Sequence, residues 1–205
     1  SVQGARRQPG DFYYAAPPDP AHTHVIVETD ADTRLEFNDP RRFGYMDLIA
    51  SDALDAHPYF KALGPEPLGN SFHLKYLQRA LAKKKTSIKA ALLDQRVVAG
   101  LGNIYVVEAL HRAGIAPTKE AGRIAAKRLE KLYRAIRAVL EEAIGAGGST
   151  LSDYAAVDGA QGGFQHRFRV YDREGKPCET SDCGGMIVRA THRGRSSFWC
   201  PRCQR

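Results

Sequence analysis

All four cysteines of the chain, Cys178, Cys183, Cys200 and Cys203, fall near its C-terminus. The first pair is spaced C-x4-C and the second C-x2-C, with sixteen residues between the pairs. That pattern presents two knuckles of thiolates to one tetrahedral ion, as in zinc ribbons. Iron in the same four-thiolate cage is the minor alternative, and two disulfides are the rival reading, which an intracellular setting disfavours. Four protein ligands leave no open coordination position, so the expected zinc is structural. His166 and His192 lie nearby and read as ordinary polar residues.

A second stretch with chemical potential is VVAGLGNIYVVEAL, residues 97–110. Its ends suit a helix, but Gly100 and Gly102 interrupt it, and an interior glycine costs a helix about 1 kcal/mol relative to alanine. Two such interruptions around one leucine mark a turn, with a new helix starting at Asn103 as N-cap. The first amides of that helix, expected from Ile104 to Val106, would lack intrahelical partners and face outward with the positive end of the dipole. Glycines let a phosphate come close to the backbone, and the Asn103 amide group can donate as well. A dinucleotide fingerprint does not fit, because Tyr105 stands where the third glycine should be and no strand precedes the loop.

The bulk composition agrees with a polyanionic partner without requiring one. The 205 residues carry 30 Lys and Arg against 23 Asp and Glu, a formal net charge of +7. Clustered cations gain counterion release on phosphate backbones, although a basic protein need have no such partner. No apolar run approaches the length needed to span a bilayer, and the first residues, SVQGARRQPG, have no apolar signal core. The chain is therefore expected to be soluble and cytoplasmic, with no membrane partner.

The elements that must position these groups can be read in order. Residues 1–24 are rich in Pro, Gly and Ala and read as irregular. HVIVETD and TRLEFND read as strands joined by a polar turn near Ala31, and FGYMDLIA as a third. Three strands cannot close a sandwich, so this sheet is expected to be completed by something else. Prolines and glycines in HPYFKALGPEPLG mark a hinge. Helices are expected in HLKYLQRALA, SIKAALLDQR and NIYVVEALHRAG, the last ending at Gly114 with Pro117 beyond. AAKRLEKLYRAIRAVLEEAI carries Leu129, Leu132, Tyr133, Ile136, Leu140 and Ile144 on one face, and Lys127, Lys131 and Arg134 on a solvated one. A short helix near STLSDYAAV leads into DGAQGGF and then the cysteine ribbon.

Four segments, NDPRRFG (38–44), LGPEPL (63–68), KKKTSIKAALLDQRVVAGLGNIYVVEAL (83–110) and GRSSFWCPRCQR (194–205), resemble the formamidopyrimidine-DNA glycosylases, a family that includes endonuclease VIII. They occur in the family's order, and DPRRFG with AGLGNIY resembles the formamidopyrimidine branch. The resemblance implies an α+β chain with a partial N-terminal β-sandwich over 1–62, a hinge at 63–69 and a helix–two-turns–helix domain over 70–157. A lesion loop and connection would follow at 158–172 and a zinc ribbon at 173–205. It also implies one zinc, double-stranded damaged DNA as partner, a monomer, and a bacterial, nucleoid-associated setting.

Residue by residue, the resemblance makes Arg41 the reader of the orphaned base and Phe43 the wedge in the stack. Extruding a base costs a few kcal/mol, which an inserted aromatic partly restores. The other reading of Phe43 is a strand residue facing a core. Lys84, Lys89 and Asn103 match phosphate contacts near the lesion, although the KKK run also reads as a solvated patch, and His22 matches a further DNA contact. Arg195 matches the arginine that clamps the phosphates around the flipped nucleotide and assists the second elimination. Gly159, Gln161, Gly162 and Gly163 match the loop that closes on an oxidised purine, a plain flexible linker being the alternative.

Two features depart from the family's pattern. The first knuckle carries two extra residues. The family's N-terminal proline nucleophile, the glutamate beside it and the lysine of the early sheet have no counterpart, since the sequence here starts Ser1, Val2, Gln3. The expectation is a bifunctional DNA glycosylase and AP lyase for oxidised purines whose nucleophile is not in these residues, so that this chain as given binds damaged DNA without cutting it. The alternative is a non-catalytic zinc-ribbon DNA-binding protein.

Overall fold

The computed structural model describes residues 19–149 and 162–205. Among them, a short 3-10 turn at Pro20–His22 leads into strands β1 (Thr23–Glu28) and β2 (Arg34–Asn38). The two pair antiparallel, with Val27 opposite Leu35 and an irregularity between Thr23 and Val25. The third expected strand, within residues 43–50, is a correction: that stretch has no regular element, and the described sheet has two strands. A strand needs a neighbour for its backbone groups, and among the described residues none pairs with it. The hinge region opens with α1 (Pro58–Lys61), a single turn begun by Pro58.

The helical unit follows. Helix α2 (Leu74–Leu81) starts where the His73 ring accepts a bond from the Tyr76 amide, and it buries Leu77 and Leu81. Helix α3 (Ile88–Leu93) is capped by Ser87, whose hydroxyl accepts from the Ala90 amide. Helix α4 (Asn103–Ala113) ends at Gly114, which adopts the left-handed conformation at φ 68°. Helix α5 (Ala126–Gly145) buries Leu129, Leu132, Ala135, Ile136, Val139 and Ala143. Ile144, expected on that face, is two-thirds exposed, and its neighbour Ala143 is the residue of the last turn that faces the core. One hydrophobic core joins α2, α3, α4 and α5 with Phe72, Phe164 and Phe168.

The ribbon is the hairpin β3 (Val188–His192) and β4 (Arg195–Trp199), paired antiparallel with His192 opposite Arg195. Its two-residue turn is Arg193–Gly194, both at positive φ (49° and 74°), the twist that suits a tight hairpin. Val107 of α4 packs into a second cluster with Val170, Cys183, Ile187, Phe198 and Cys200, so the ribbon is seated on α4. Among the described residues, no helix is long and apolar enough to cross a membrane.

Candidate nucleic-acid interface and metal centre

The glycine loop forms where α3 hands over to α4. Asp94 ends α3 and accepts from the Arg96 amide and guanidinium, which holds its carboxyl below the usual range. Gln95 then stitches the loop: its side-chain oxygen accepts from the Gly100 amide at 2.7 Å and its amide nitrogen donates to Leu101 O. Gly100 lies at φ 72°, and a Cβ added at Gly100 or Gly102 would meet nothing within 4 Å, so both Cα atoms face open space. The helix starts one residue earlier than expected. Gly102 is the N-cap, and the Val106 amide bonds to Gly102 O, which leaves the amides of Asn103, Ile104 and Tyr105 as the outward-facing set.

Asn103 is thereby freed from capping and reaches across to the ribbon, donating to Ser196 O at 3.0 Å; its Oδ1 is buried without a partner. Lys89 takes the same direction from α3. It is 2% exposed, and its ammonium donates to Arg195 O, Ser196 O and Ser197 Oγ at 3.3, 2.9 and 2.8 Å. All three of its protons are thus directed to the ribbon, and burial together with the Arg195 charge pushes its pKa down to about 8. In this structure the side chain braces the strand that carries Arg195.

Arg195 itself is exposed at the first position of β4. It borders a cleft of about 380 Å³ together with Lys84, Arg96, His192 and Arg193. Asp94 is the acidic residue on this lining, and its carboxylate is committed to Arg96. Lys84, Lys89, Asn103 and Arg195 therefore converge on one hairpin edge from four segments of the chain. A cationic cleft beside a helix N-terminus is suited to a phosphate backbone.

Arg41, Phe43 and His22 belong to the β1–β2 region. Asp39 organises the NDPRRFG turn by accepting from the Arg41 amide at 3.2 Å and the Gly44 amide at 2.6 Å. A Cβ at Gly44 would lie 2.8 Å from the Phe37 ring, so a larger residue there would displace that side chain. Phe43 is 79% exposed, with the Arg41 guanidinium 4.9 Å over its ring, so the core-facing reading does not hold in this structure. The partly exposed His22 ring lies 4.0 Å from the Asp19 carboxylate. Gly159 and Gln161 lie outside the described residues. Gly162 and Gly163 close the base of that stretch: the Gly163 amide donates to Ala146 O, and a Cβ on Gly162 would fall 2.2 Å from Gly148 O.

The four thiols converge as the spacing predicts. Their sulfurs all lie within 4.8 Å of one another, with Cys178 to Cys203 at 3.8 Å and Cys183 to Cys200 at 3.6 Å. A tetrahedral zinc with Zn–S bonds of about 2.3 Å needs sulfurs about 3.8 Å apart, so the set fits. Gly185 makes room, because a Cβ there would sit 2.6 Å from the Cys200 sulfur. The thiols are free rather than paired as disulfides.

Two further anchors escaped the sequence reading. Glu108 is fully buried, and its carboxylate accepts from the backbone amides of Arg169, Val170 and Tyr171 at 2.9–3.1 Å, fixing the strand of chain that enters the ribbon. Burial raises its pKa against the pull of those amides. Gln204, 2% exposed, accepts from the Cys200 amide and donates to Ile115 O, tying the second knuckle to the helical unit. A polar residue on the apolar face of α4 was the available signal for Glu108.

A helix–two-turns–helix unit fused to a four-cysteine ribbon, with a basic cleft between them, defines a class of DNA-binding repair proteins. Residues 63–155 match the formamidopyrimidine-DNA glycosylase H2TH domain, and residues 175–205 match the zinc finger found in FPG and IleRS. The chain is 57% identical over 198 residues to the formamidopyrimidine-DNA glycosylase of Phenylobacterium zucineum, covering 97% of this chain and 69% of that protein. It is 56% identical over 197 residues to the Caulobacter vibrioides protein of the same name, covering 96% of this chain and 69% of that protein. Among solved structures, MutM (Fpg) of Thermus thermophilus superposes with a TM-score of 0.82 at 43% identity, covering 93% of this chain and 71% of that one. Lactococcus lactis Fpg in complex with abasic-site DNA superposes at 0.82 and 37% identity, covering 93% and 68%.

The chain belongs to the formamidopyrimidine-DNA glycosylase family. Its four cysteines form the family's zinc site and hold one structural zinc.

Proposed function

We infer that this chain is the damaged-DNA-binding portion of a base-excision repair glycosylase and AP lyase acting on oxidised purines, 8-oxoguanine and formamidopyrimidines. The cationic cleft bordered by Lys84 and Arg195 carries the reading, with Lys89 and Asn103 holding the Arg195 strand in place. Arg195 contacts the phosphates around the extruded nucleotide and assists elimination, Arg41 reads the orphaned base, and Phe43 fills the gap. His22 adds a backbone contact, and the loop of Gly159, Gln161, Gly162 and Gly163 closes on the lesion. Double-stranded damaged DNA is the partner, and the active unit is a monomer in a bacterial cytoplasm. The solved complexes of Lactococcus lactis Fpg with abasic-site and Fapy-dG DNA support the partner.

The amine nucleophile is assigned to sequence other than these residues. Two observations support that: the match covers 69% of the curated relatives' length, and Val25, Ile26, Val27 and Leu35 of the two-stranded sheet are exposed. The test is binding of abasic-site duplex over a salt series. Arg195→Ala should weaken binding and lower the slope of log K against log salt by roughly one unit, while Asn103→Ala should weaken it with little change in slope. Equal slope changes would show the roles to be wrong. Binding without borohydride trapping is expected of this chain, and efficient trapping that depends on Ser1 would overturn the assignment of the nucleophile elsewhere.

A further inference from the structure

The metal centre has an uneven boundary. Cys183 and Cys200 are buried, whereas Cys178 and Cys203 are half-buried, and Cys203 lines a second cavity of about 420 Å³ with Lys131, Arg169, Thr180 and His111. Ligand exchange by water or a chelator would begin at this edge, where Cys203 borders the cavity. The side chain standing over it comes from another element: His111, in the last turn of α4 and 5% exposed.

The His111 Nε2 atom lies 3.5 Å from the Cys178 sulfur and 3.3 Å from the Thr180 hydroxyl, and that hydroxyl is itself 3.4 Å from the same sulfur. Thr180 sits in the four-residue span between Cys178 and Cys183, the longer knuckle noted in the sequence. A zinc-bound thiolate has no proton to give. Nε2 must then carry the hydrogen, which leaves Nδ1 as a bare acceptor, and Nδ1 is buried without a partner. An unpaired acceptor is tolerated inside a protein more readily than an unpaired N–H.

We propose that His111 is a positioning residue of the zinc site, whose Nε2–H donates to the Cys178 thiolate and, with Thr180, holds that ligand on the metal. The hydrogen bond withdraws charge from the sulfur and fixes its direction, as outer-shell donors do at other metal sites. It also makes metal retention depend on α4, so that the helix carrying Asn103 at its start secures the ribbon at its end.

The zinc-loaded chain should be compared with His111→Phe, which fills the space but cannot donate, and His111→Gln, which can. Competition against a chromophoric chelator reads zinc affinity, and circular dichroism confirms that the helices persist. His111→Phe should bind zinc about 10- to 100-fold more weakly, and His111→Gln should recover most of that loss. In cobalt(II)-loaded samples the thiolate-to-metal charge-transfer band should move to lower energy in His111→Phe and stay near the native position in His111→Gln, because a sulfur without its donor is easier to oxidise. Native zinc affinity and an unmoved band in His111→Phe would overturn the proposal. So would equal loss of zinc in both variants with the band unmoved, which would make His111 a packing residue alone.

Discussion

Residues 19–62 and the unit from residue 63 onward obey different rules. In the first, no described residue is fully buried, and Val25, Ile26, Val27, Leu35, Tyr45 and Met46 lie open. In the second, two hydrophobic clusters meet across α4, and buried polar side chains such as Lys89, Glu108 and Gln204 are paired across element boundaries. One region specifies its own structure, whereas the other holds a shaped turn on a sheet whose Val25, Ile26, Val27 and Leu35 are exposed. The cationic cleft is thus held by buried contacts, while the turn carrying Arg41 and Phe43 has no buried residue behind it among the described residues.

Metal removal should expose the deepest asymmetry. Structural zinc contributes about 10–16 kcal/mol in small zinc domains, more than the ribbon's small cluster supplies. Chelation should therefore unfold residues around β3 and β4 and abolish duplex binding, while β1 and β2, which share no described contact with the metal, keep their amide exchange rates. Retained DNA binding by a metal-free sample would break the comparison.

The same residue type on either side gives a sharper test. Phe164 is 0% exposed in the helical core and Phe43 is 79% exposed on its turn. Phe164→Ala should cost about 3–5 kcal/mol of unfolding free energy, and Phe43→Ala within about 0.5 kcal/mol. Phe43→Ala should instead narrow the preference for abasic over intact duplex, read from the ratio of the two dissociation constants. A large stability loss would mean that Phe43 packs into a core after all.

Glu108 should come next. Removing its carboxylate in Glu108→Ala leaves the Arg169, Val170 and Tyr171 amides buried without acceptors, at about 1 kcal/mol or more each, so about 3 kcal/mol is expected in denaturant unfolding. A loss below about 1 kcal/mol would show that water or a neighbour satisfies those amides.

The legible parts of the molecule were those with local signals. Cysteine spacing gave the zinc cage, Gly114 and Pro117 marked the end of α4, and the paired glycines gave the loop after α3. What escaped depended on contacts distant in sequence. The N-cap moved to Gly102 because Asn103 found Ser196, 93 residues away, and Lys89 turned inward because β4 offered it three acceptors. The expected strand at 43–50 failed for the reverse reason, since alternation predicts a strand only where a partner exists to pair with it.

Lys89 supplies the smallest effect, and one with a definite sign. Its folded pKa, about 8, lies below the ordinary lysine value of 10.5, so between those limits the unfolded chain binds more protons than the folded one. Stability contributed by this site is therefore lowest below about pH 8 and rises with pH until about 10.5, where both states are neutral. The hydrogen-bonding consequence runs the other way, because a neutral amine has two protons for the three acceptors on Arg195, Ser196 and Ser197, and the Arg195 strand loosens. Affinity for abasic-site duplex should then fall as pH rises through about 8 while the folded state gains stability. Lys89→Met should flatten both trends and lower affinity at pH 7. Melting and binding measured on the same samples between pH 7 and 10 decide it: parallel rather than opposed trends, or trends unchanged in Lys89→Met, would remove Lys89 from its role as the brace for Arg195.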